Sequence, residues 1–328
     1  MKIGAAAPKP SEVVPESEIT RFWSDEYRKP LVSILCHCYN HGEYLEDSLK
    51  GFLMQKTDFP WEVIIHDDAS TDNSADVIRQ YAEKYPSIIR PILQKENQFS
   101  KGLTPSFFTT KAAQGEYFAP CDADDYWLDD SKLQKQADFL RNNPSFSVCG
   151  HDAFVVESGR VIQLSKLHAV NKADASPQRL SRGWFILTFT AMFRRNYDWY
   201  PEEHGKVVNG DTFFFSRLGR VGGYKYLDDL TPGAYRAHPG GIWSSMDQRQ
   251  KDATSINTAY WMSQYYMRKG NHELSVYFSQ KLSLISLEAL DGMTFAQLVA
   301  FNYKLVRQLL RKRVAWLNAL ILRLRNRD

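Results

Sequence analysis

Cysteine and long apolar runs are both scarce in this chain, and each scarcity excludes a class of protein. Four cysteines among 328 residues do not make the disulfide framework of a small secreted domain. The best apolar candidate, residues 314–322, is nine residues long, whereas a membrane-spanning helix needs about 20. The N-terminus also lacks an apolar stretch of signal-peptide length. We therefore expect a cytoplasmic protein with reduced thiols.

An excess of charge of one sign is lacking as well. The chain has 41 Lys+Arg and 38 Asp+Glu, so its formal net charge of +3 gives no global indication of a nucleic-acid partner. The 13% of aromatic residues and 24% of charged residues exclude a wholly disordered chain. No Gly-x-Gly-x-x-Gly turn follows the first predicted strand, where residues 40–42 read Asn-His-Gly. This absence argues against an NAD-dependent oxidoreductase.

The chain divides into three regions by composition and periodicity. Residues 1–29 carry three prolines among small and charged residues, and we interpret them as a loose N-terminal extension. Residues 30–248 are predicted to form one α/β domain, and residues 249–328 a C-terminal helical region. In the first part of the domain, short apolar runs alternate four times with helical periodicity, which favours a mostly parallel, Rossmann-like sheet with helices on both faces. The predicted strands are 31–36, 61–66, 88–93 and 116–121, followed by extended stretches at 146–151, 154–164, 185–194, 223–227 and 234–238, with helices at 104–114 and 211–218.

Carboxylates cluster where the fourth predicted strand ends. Asp122, Asp124 and Asp125 lie within four residues and would repel one another unless a cation lay among them. Hard oxygen ligands on one loop suit Mg²⁺ or Mn²⁺, and the carboxyl edge of a parallel sheet is where ligands bind. The alternative is an acidic turn that precedes the helix beginning near Ser131.

Two further loops at the same predicted edge carry candidate binding residues. Asp68 ends the second strand, where its carboxylate could accept a hydrogen bond from a nucleobase or could serve in an Asx turn or helix cap. Tyr39 ends the first strand, where an aromatic ring could stack on a base or pack on the protein.

Two candidates lie in the second half of the domain. Arg236 and His238 share one face if their segment is extended, and together they could supply a phosphate contact and a metal ligand. A His-x-Arg pair alone is weak evidence. Asp211 opens a predicted helix and could be an N-cap.

Taken together, these motifs resemble the inverting glycosyltransferases of family 2, which have the GT-A fold. Residues 32–45 resemble that family's first strand and helix, residues 62–73 its nucleotide-binding turn, and residues 115–127 the strand that leads into its Asp-x-Asp motif. The resemblance covers residues 30–245. Three motifs in the right order are far more specific than any one of them.

The resemblance implies a role for each candidate residue. Asp68 would contact the uracil of a UDP-sugar, Tyr39 would lie against the base, and Asp122 would approach the ribose. Asp124, with help from Asp125, would hold Mn²⁺ or Mg²⁺ on the diphosphate, and His238 would complete the metal shell. Arg236 would face the phosphates, and Asp211 would be the catalytic base. Two departures weaken the match. Relatives commonly carry Glu where Gly210 stands, and an Arg-Asn pair where Ser106 and Phe107 stand.

The sequence thus predicts a metal-dependent, inverting hexosyl- or N-acetylhexosaminyltransferase. It would move sugar from a nucleotide sugar to a growing cell-surface glycan, free or carried on a lipid. The Gln-x-x-Arg-Trp signature of processive synthases is absent, so we expect one sugar per encounter. The rival interpretation is a non-catalytic nucleotide-sugar-binding or partner subunit on the same fold, because a fold alone does not guarantee activity.

The C-terminal region carries a concentrated positive charge. Residues 295–327 are predicted to form a long amphipathic helix, and residues 303–328 contain eight basic residues and one acidic residue. That segment is therefore +7, and the rest of the chain is −4. Such a helix suits an anionic membrane surface, which would place the enzyme at the inner face of the membrane. The alternative is a helix that packs on the catalytic domain and leaves its basic face in water.

Overall fold

A computed structural model describes residues 1–195, 200–241 and 246–291 of the chain. The strands in these ranges are β1 Val32–Cys38, β2 Trp61–Asp67, β3 Ile89–Leu93, β4 Tyr117–Pro120, β5 Phe146–Gly150, β6 Ala153–Glu157, β7 Arg160–Gln163, β8 Met192–Arg194, β9 Gly223–Tyr226 and β10 Gly233–Ala237. The α-helices are α1 Glu16–Thr20, α2 Leu45–Leu53, α3 Ser74–Lys84, α4 Pro105–Ala112, α5 Lys132–Asn142, α6 Pro177–Ser181, α7 Gly210–Leu218, α8 Gln248–Arg268 and α9 His272–Asp291. Short 3₁₀ helices lie at Phe99–Lys101, Ala169–Asn171, Thr188–Thr190 and His204–Lys206.

A seven-stranded sheet forms the centre of the fold. Its strand order is β3-β2-β1-β4-β8-β5-β9, with β1 parallel to β2 and β4, and β8 antiparallel to both of its neighbours. Every residue of β2 is buried because helices cover both faces of the sheet. The predicted mostly parallel α/β sheet is confirmed, and its predicted strands differ from the observed ones by one or two residues at their ends.

A smaller three-stranded sheet, in the order β10-β6-β7, lies beside the acidic loop after β4. An antiparallel bridge between Tyr126 and Ala234 joins that loop to β10. The stretch predicted at 154–164 is not one extended segment: it turns back at Ser158 and Gly159, which have φ of 48° and 73°. The stretch predicted at 185–194 is likewise interrupted, by the 3₁₀ helix Thr188–Thr190.

The interpretation of residues 1–29 as a loose extension is wrong. The N–H groups of Gly4 and Ala7 donate to the carbonyls of Val161 and Gly159, each at 2.8 Å, so the segment extends the small sheet. The Ile19 side chain is buried further along, in the main core. Composition suggested a loose extension, because backbone hydrogen bonds of this kind leave no side-chain pattern in the sequence.

The helices α8 and α9 form an antiparallel hairpin that packs against α7. Phe213 of α7 lies edge-on to Tyr265 of α8, with ring centroids 5.1 Å apart. Within the described ranges, no helix is both long enough and apolar enough to cross a membrane. The predicted basic helix at 295–327 lies outside the described residues.

Candidate active site

The acidic loop that follows β4 is fixed to helix α2 by a buried hydroxyl. Ser48 Oγ lies 2.9 Å from the carbonyl oxygen of Ala123 and 2.6 Å from that of Asp125, and its residue is completely buried. The N–H of Ala123 also donates to the carbonyl of His37, at 3.0 Å, just beyond the point where β1 and β4 separate. These contacts fix the backbone of the loop at the carboxyl end of β4, where the sequence placed the acidic cluster.

Asp124 lies in a cluster with two histidines. Its Oδ2 is 3.1 Å from Nε2 of His238, and one ligand atom from each of His41, Asp124 and His238 lies within 4.8 Å of the other two. Burial opposes ionisation of Asp124, but the hydrogen bond from His238 and the proximity of His41 outweigh it, so its pKa is lowered. Neighbouring ligands of a divalent cation at about 2.1 Å would be about 3 Å apart, which matches the Asp124–His238 separation. These residues therefore fit the metal that the family resemblance implies.

Asp125 and Arg236 brace the loop rather than lie open to a ligand. Asp125 is buried, and its Oδ1 accepts the backbone N–H of Arg236 at 2.8 Å. Its burial, with the nearby charge of Asp124, raises its pKa well above the usual range. The Arg236 guanidinium donates to the Asp124 carbonyl at 3.1 Å and to Asp47 at 2.7 Å. Both predicted ligand contacts are thus replaced, in this structure, by contacts within the protein, and they stay predictions.

Asp122 is held by a residue that sequence reasoning did not select. Nδ1 of His37 lies 2.8 Å from Oδ1 of Asp122, and Nε2 of the same ring lies 3.1 Å from the Thr109 hydroxyl on α4. His37 occupies a position where Pro is common in the family that the sequence resembles. The signal available in the sequence was its place at the carboxyl end of β1, beside the acidic loop.

The two predicted base-binding residues differ in accessibility. Tyr39 is 46% exposed just beyond β1, where its ring is available to a planar ligand. Asp68 is 2% exposed, and its two carboxylate oxygens accept the N–H groups of Gln98 and Phe99 at 2.7 and 3.0 Å. In this structure Asp68 holds the loop at 96–101, so its contact with uracil stays a prediction.

Asp211 lies in the first turn of α7. Its Oδ2 accepts a hydrogen bond from the Thr188 hydroxyl at 3.2 Å, and its Oδ1 accepts one from the N–H of Thr212 at 2.7 Å. Solvent reaches the residue, yet the surrounding protein desolvates the carboxylate and, with a smaller contribution from the charge of Asp122, raises its pKa. Among the described residues, no lysine or arginine forms an ion pair with it. The helix N-cap is Asn209, so Asp211 is not the cap itself.

The structure therefore brings Asp122, Asp124, His238 and Asp211 to one edge of the main sheet. Thr188, which contacts Asp211, belongs to the same 3₁₀ helix as Phe189, whose carbonyl accepts the indole N–H of Trp127 at 2.7 Å. The catalytic-base candidate and the acidic loop are thus joined through one short 3₁₀ helix.

Comparison with known proteins places this site in a family. The model of glycosyl transferase family 2 matches residues 33–200. An uncharacterized protein of Mycobacterium tuberculosis (strain ATCC 25618 / H37Rv), Rv1520, is 38% identical over 217 residues, covering 65% of this chain and 61% of that protein. TuaG of Bacillus subtilis (strain 168), whose name assigns it to teichuronic acid biosynthesis as a glycosyltransferase, is 39% identical over 124 residues, covering 38% of this chain and 47% of its own.

Solved structures agree on the fold. S. aureus TarS in complex with UDP-GlcNAc superposes with a TM-score of 0.57 at 20% identity, covering 80% of this chain and 73% of that one. The likeness extends beyond the residues that the family model matches and supports the GT-A architecture. On the match to residues 33–200, the chain belongs to glycosyl transferase family 2.

Proposed function

We propose that the protein is a metal-dependent glycosyltransferase that moves one sugar, with inversion, from a nucleotide sugar to a hydroxyl of a cell-surface glycan. The supporting observation is the arrangement of two carboxylate sites at one sheet edge. Asp124 lies with His238 on the loop side, and Asp211 lies on α7 without an ion-pair partner among the described residues. UDP is the proposed nucleotide because TarS, which shares the fold, binds UDP-GlcNAc.

Asp211 is the proposed catalytic base. A sugar hydroxyl is a poor nucleophile, so a carboxylate within hydrogen-bond reach must take its proton as the attack develops. The raised pKa of Asp211 makes its carboxylate a stronger base than that of an ordinary aspartate. One base is sufficient for a single displacement, which inverts the anomeric carbon.

Asp124 and His238 are the proposed holders of Mn²⁺ or Mg²⁺. When bound, the cation would neutralise the charge that grows on the leaving nucleoside diphosphate. The protein's own contribution is position. Ser48 fixes the loop backbone on α2, and Arg236 holds that loop against β10 through Asp124 and Asp47.

Calorimetric titration of the purified protein with UDP, GDP and dTDP, first with Mn²⁺ and then with EDTA, tests the donor site. We expect UDP to bind with Mn²⁺, to bind much more weakly with EDTA, and to lose its metal-dependent binding in Asp124→Ala. Asp228→Ala, a change at an exposed residue, is the matched control and should bind as the wild type does. If none of the three nucleotides binds, the donor-site assignment is wrong.

Transfer itself separates the enzyme from a non-catalytic binding subunit. Two features favour the binding subunit: Gly210, where relatives commonly carry Glu, and the missing Arg-Asn pair at Ser106 and Phe107. Incubation with UDP-GlcNAc or UDP-glucose and a panel of glycan or lipid-linked acceptors should release UDP and form product of inverted anomeric configuration. Tight UDP binding with no sugar transfer to any acceptor and no donor hydrolysis would instead support the binding subunit.

A further inference from the structure

His41 takes part in the histidine–carboxylate cluster, although neither the family resemblance nor its own motif assigned it a role. It follows strand β1 in the segment Tyr39-Asn40-His41-Gly42. One of its ring nitrogens is grouped with Asp124 and His238, all three ligand atoms lying within 4.8 Å of one another. Its Nδ1 atom is buried and has no hydrogen-bond partner among the described residues.

The backbone around His41 is held independently of any ligand. Its N–H donates to Ser74 Oγ at 3.1 Å, and the N–H of Gly42 donates to Asp72 at 2.9 Å, both at the beginning of α3. Its carbonyl accepts the N–H groups of Tyr44 and Leu45 at 2.8 and 2.9 Å, where α2 begins. Contacts from two helices therefore fix the backbone from which the imidazole projects, without any need for a cation.

The ring contacts are consistent with a shared ligand site. The imidazole of His41 lies perpendicular to that of His238, with centroids 5.7 Å apart, so the two rings meet edge to face rather than stack. Tyr44 covers both imidazoles, with centroids 6.3 Å from His41 and 4.9 Å from His238. The buried Nδ1 of His41 is a polar atom that is left without a hydrogen bond among the described residues, which is unfavourable unless a ligand satisfies it.

We propose that His41 is a third protein ligand of the divalent cation, which completes a two-histidine, one-carboxylate set with Asp124 and His238. This inference rests on the proposed function only in placing that cation at the donor site. Three protein ligands would leave the remaining coordination positions for water and for oxygens of a nucleoside diphosphate.

The ligand set has a consequence for the choice of metal. Imidazole suits transition metals, whereas Mg²⁺ prefers oxygen ligands and releases its waters reluctantly. A site with one carboxylate and one imidazole would discriminate weakly between Mn²⁺ and Mg²⁺. A second imidazole, that of His41, would favour Mn²⁺ and Co²⁺. The protein would therefore bind a transition metal in preference to an excess of Mg²⁺.

Pulsed electron paramagnetic resonance of Mn²⁺ bound to the full chain, without nucleotide, counts the coordinated imidazole nitrogens directly. We expect two nitrogens in the wild type and one in each of His41→Ala and His238→Ala. The Mn²⁺ affinity of His41→Ala should fall about tenfold or more. His168→Ala, at an exposed histidine outside the cluster, should keep both nitrogens and the wild-type affinity.

Competition with Mg²⁺ supplies a second readout. In the wild type, a hundredfold excess of Mg²⁺ should displace little Mn²⁺, whereas in His41→Asp, which exchanges nitrogen for oxygen, Mg²⁺ should compete far better. Circular dichroism and the unfolding midpoint show whether each variant is folded. If His41→Ala does not fold, the wild-type nitrogen count still decides the question.

Three results would overturn the assignment: a single nitrogen in the wild type, unchanged Mn²⁺ affinity in folded His41→Ala, or no Mn²⁺ binding at all. Each is distinguishable from failure of the proposed function. Sugar transfer that proceeds with one coordinated nitrogen would leave the transferase standing and remove only the role of His41. Transfer without metal would also remove the proposed metal-binding roles of Asp124 and His238. Two coordinated nitrogens without sugar transfer would support the role of His41 and contradict the proposed transferase.

Discussion

Asp211, the proposed catalytic base, has opposite effects on activity and stability. Its raised pKa means that the folded protein binds a proton more tightly than the unfolded chain does. Ionisation of Asp211 therefore lowers the free energy of unfolding as pH rises above the usual aspartate range. We expect Asp211→Asn to lower the transfer rate about 10²–10⁴-fold while the unfolding midpoint at pH 7 stays equal or rises.

Rates and thermal unfolding of Asp211→Asn, with Asp228→Asn as the surface control, check this expectation. In the wild type, kcat/KM should rise with pH through the pKa of Asp211, at a pH above that of an ordinary aspartate. A folded Asp211→Asn that retains the wild-type rate would show that the base lies elsewhere.

Lys132 shows at the same scale how a buried charge makes stability depend on pH. It is completely buried on α5, its ammonium is 4.0 Å from the Trp127 ring centroid, and it donates to Gln136 at 2.6 Å. Burial lowers its pKa to about 7, far below the unfolded value. Above pH 7 the unfolded chain therefore holds a proton that the folded protein has released, so this lysine makes stability increase with pH.

Replacement of Lys132 by Met should remove that increase. The free energy of unfolding of the wild type, relative to Lys132→Met, should rise between pH 7.0 and 8.5 by at most about 1.4 kcal/mol per pH unit. Urea unfolding at several pH values measures this difference. Lys135→Met changes a more exposed lysine of the same helix, so its free energy of unfolding should depend on pH as that of the wild type does. Parallel curves for Lys132→Met would mean that Lys132 stays protonated when buried.

At the scale of elements, the N-terminal segment stabilises the small sheet through its backbone. Gly4 and Ala7 donate to the hairpin β6–β7, the Val161 N–H donates to Ala5 at 3.0 Å, and the Tyr126 hydroxyl donates to the Pro8 carbonyl at 2.9 Å. Deletion of residues 1–7 should therefore lower the unfolding midpoint and expose the Val161 amide.

Hydrogen exchange provides an internal control for this deletion. We expect faster exchange of the hairpin amides, including that of Val161, and unchanged exchange in β1, which is paired on both sides within the main sheet. Uniform acceleration across β1 and the hairpin would show that the segment stabilises the whole domain. Unchanged hairpin exchange would show that its hydrogen bonds to residues 1–7 are not maintained in solution.

The elements also show which parts of the structure could be predicted from sequence. Strands β1 and β2 are buried along almost their whole length and consist mostly of apolar residues, so each can be recognised in isolation. The hairpin turn at Ser158 and Gly159 and the pairing of residues 1–7 depend on partners far along the chain. The acidic loop around Asp124 could be located from its place after such a strand, and the role of Asp124 as a metal ligand stays a prediction.

The role of His41 could not be predicted in that way. Nothing in its local segment distinguishes it from a loop histidine, and its meaning comes only from the approach of His238, which β10 brings to the same loop. Arg236 illustrates the converse. Its spacing from His238 predicted only that the two share one face of an extended segment. The structure shows that Asp47 and the Asp124 carbonyl engage its guanidinium.

At the scale of the whole molecule, charge is distributed unevenly along the chain. Residues 303–328 carry a net +7 and the rest of the chain −4, although the total is only +3. Each basic residue near an anionic lipid surface contributes about 1 kcal/mol, whereas the remaining residues would be weakly repelled. We therefore propose that residues 303–328 bind an anionic membrane surface, where a lipid-linked acceptor would be found.

Sedimentation with vesicles tests this arrangement. The full chain should bind phosphatidylglycerol-containing vesicles at about 50 mM salt and should not bind vesicles of pure phosphatidylcholine. Binding should be much weaker at about 500 mM salt, because the shorter Debye length screens the attraction. A variant with Arg311, Lys312 and Arg313 changed to Gln should bind more weakly, and Lys251→Gln, outside the segment, should serve as the matched control.

Because the acceptor need not be lipid-linked, transfer to a soluble glycan should be unaffected in the triple variant. Salt-insensitive binding, or equal binding of the wild type and the triple variant, would mean that the basic segment faces water or protein instead of lipid.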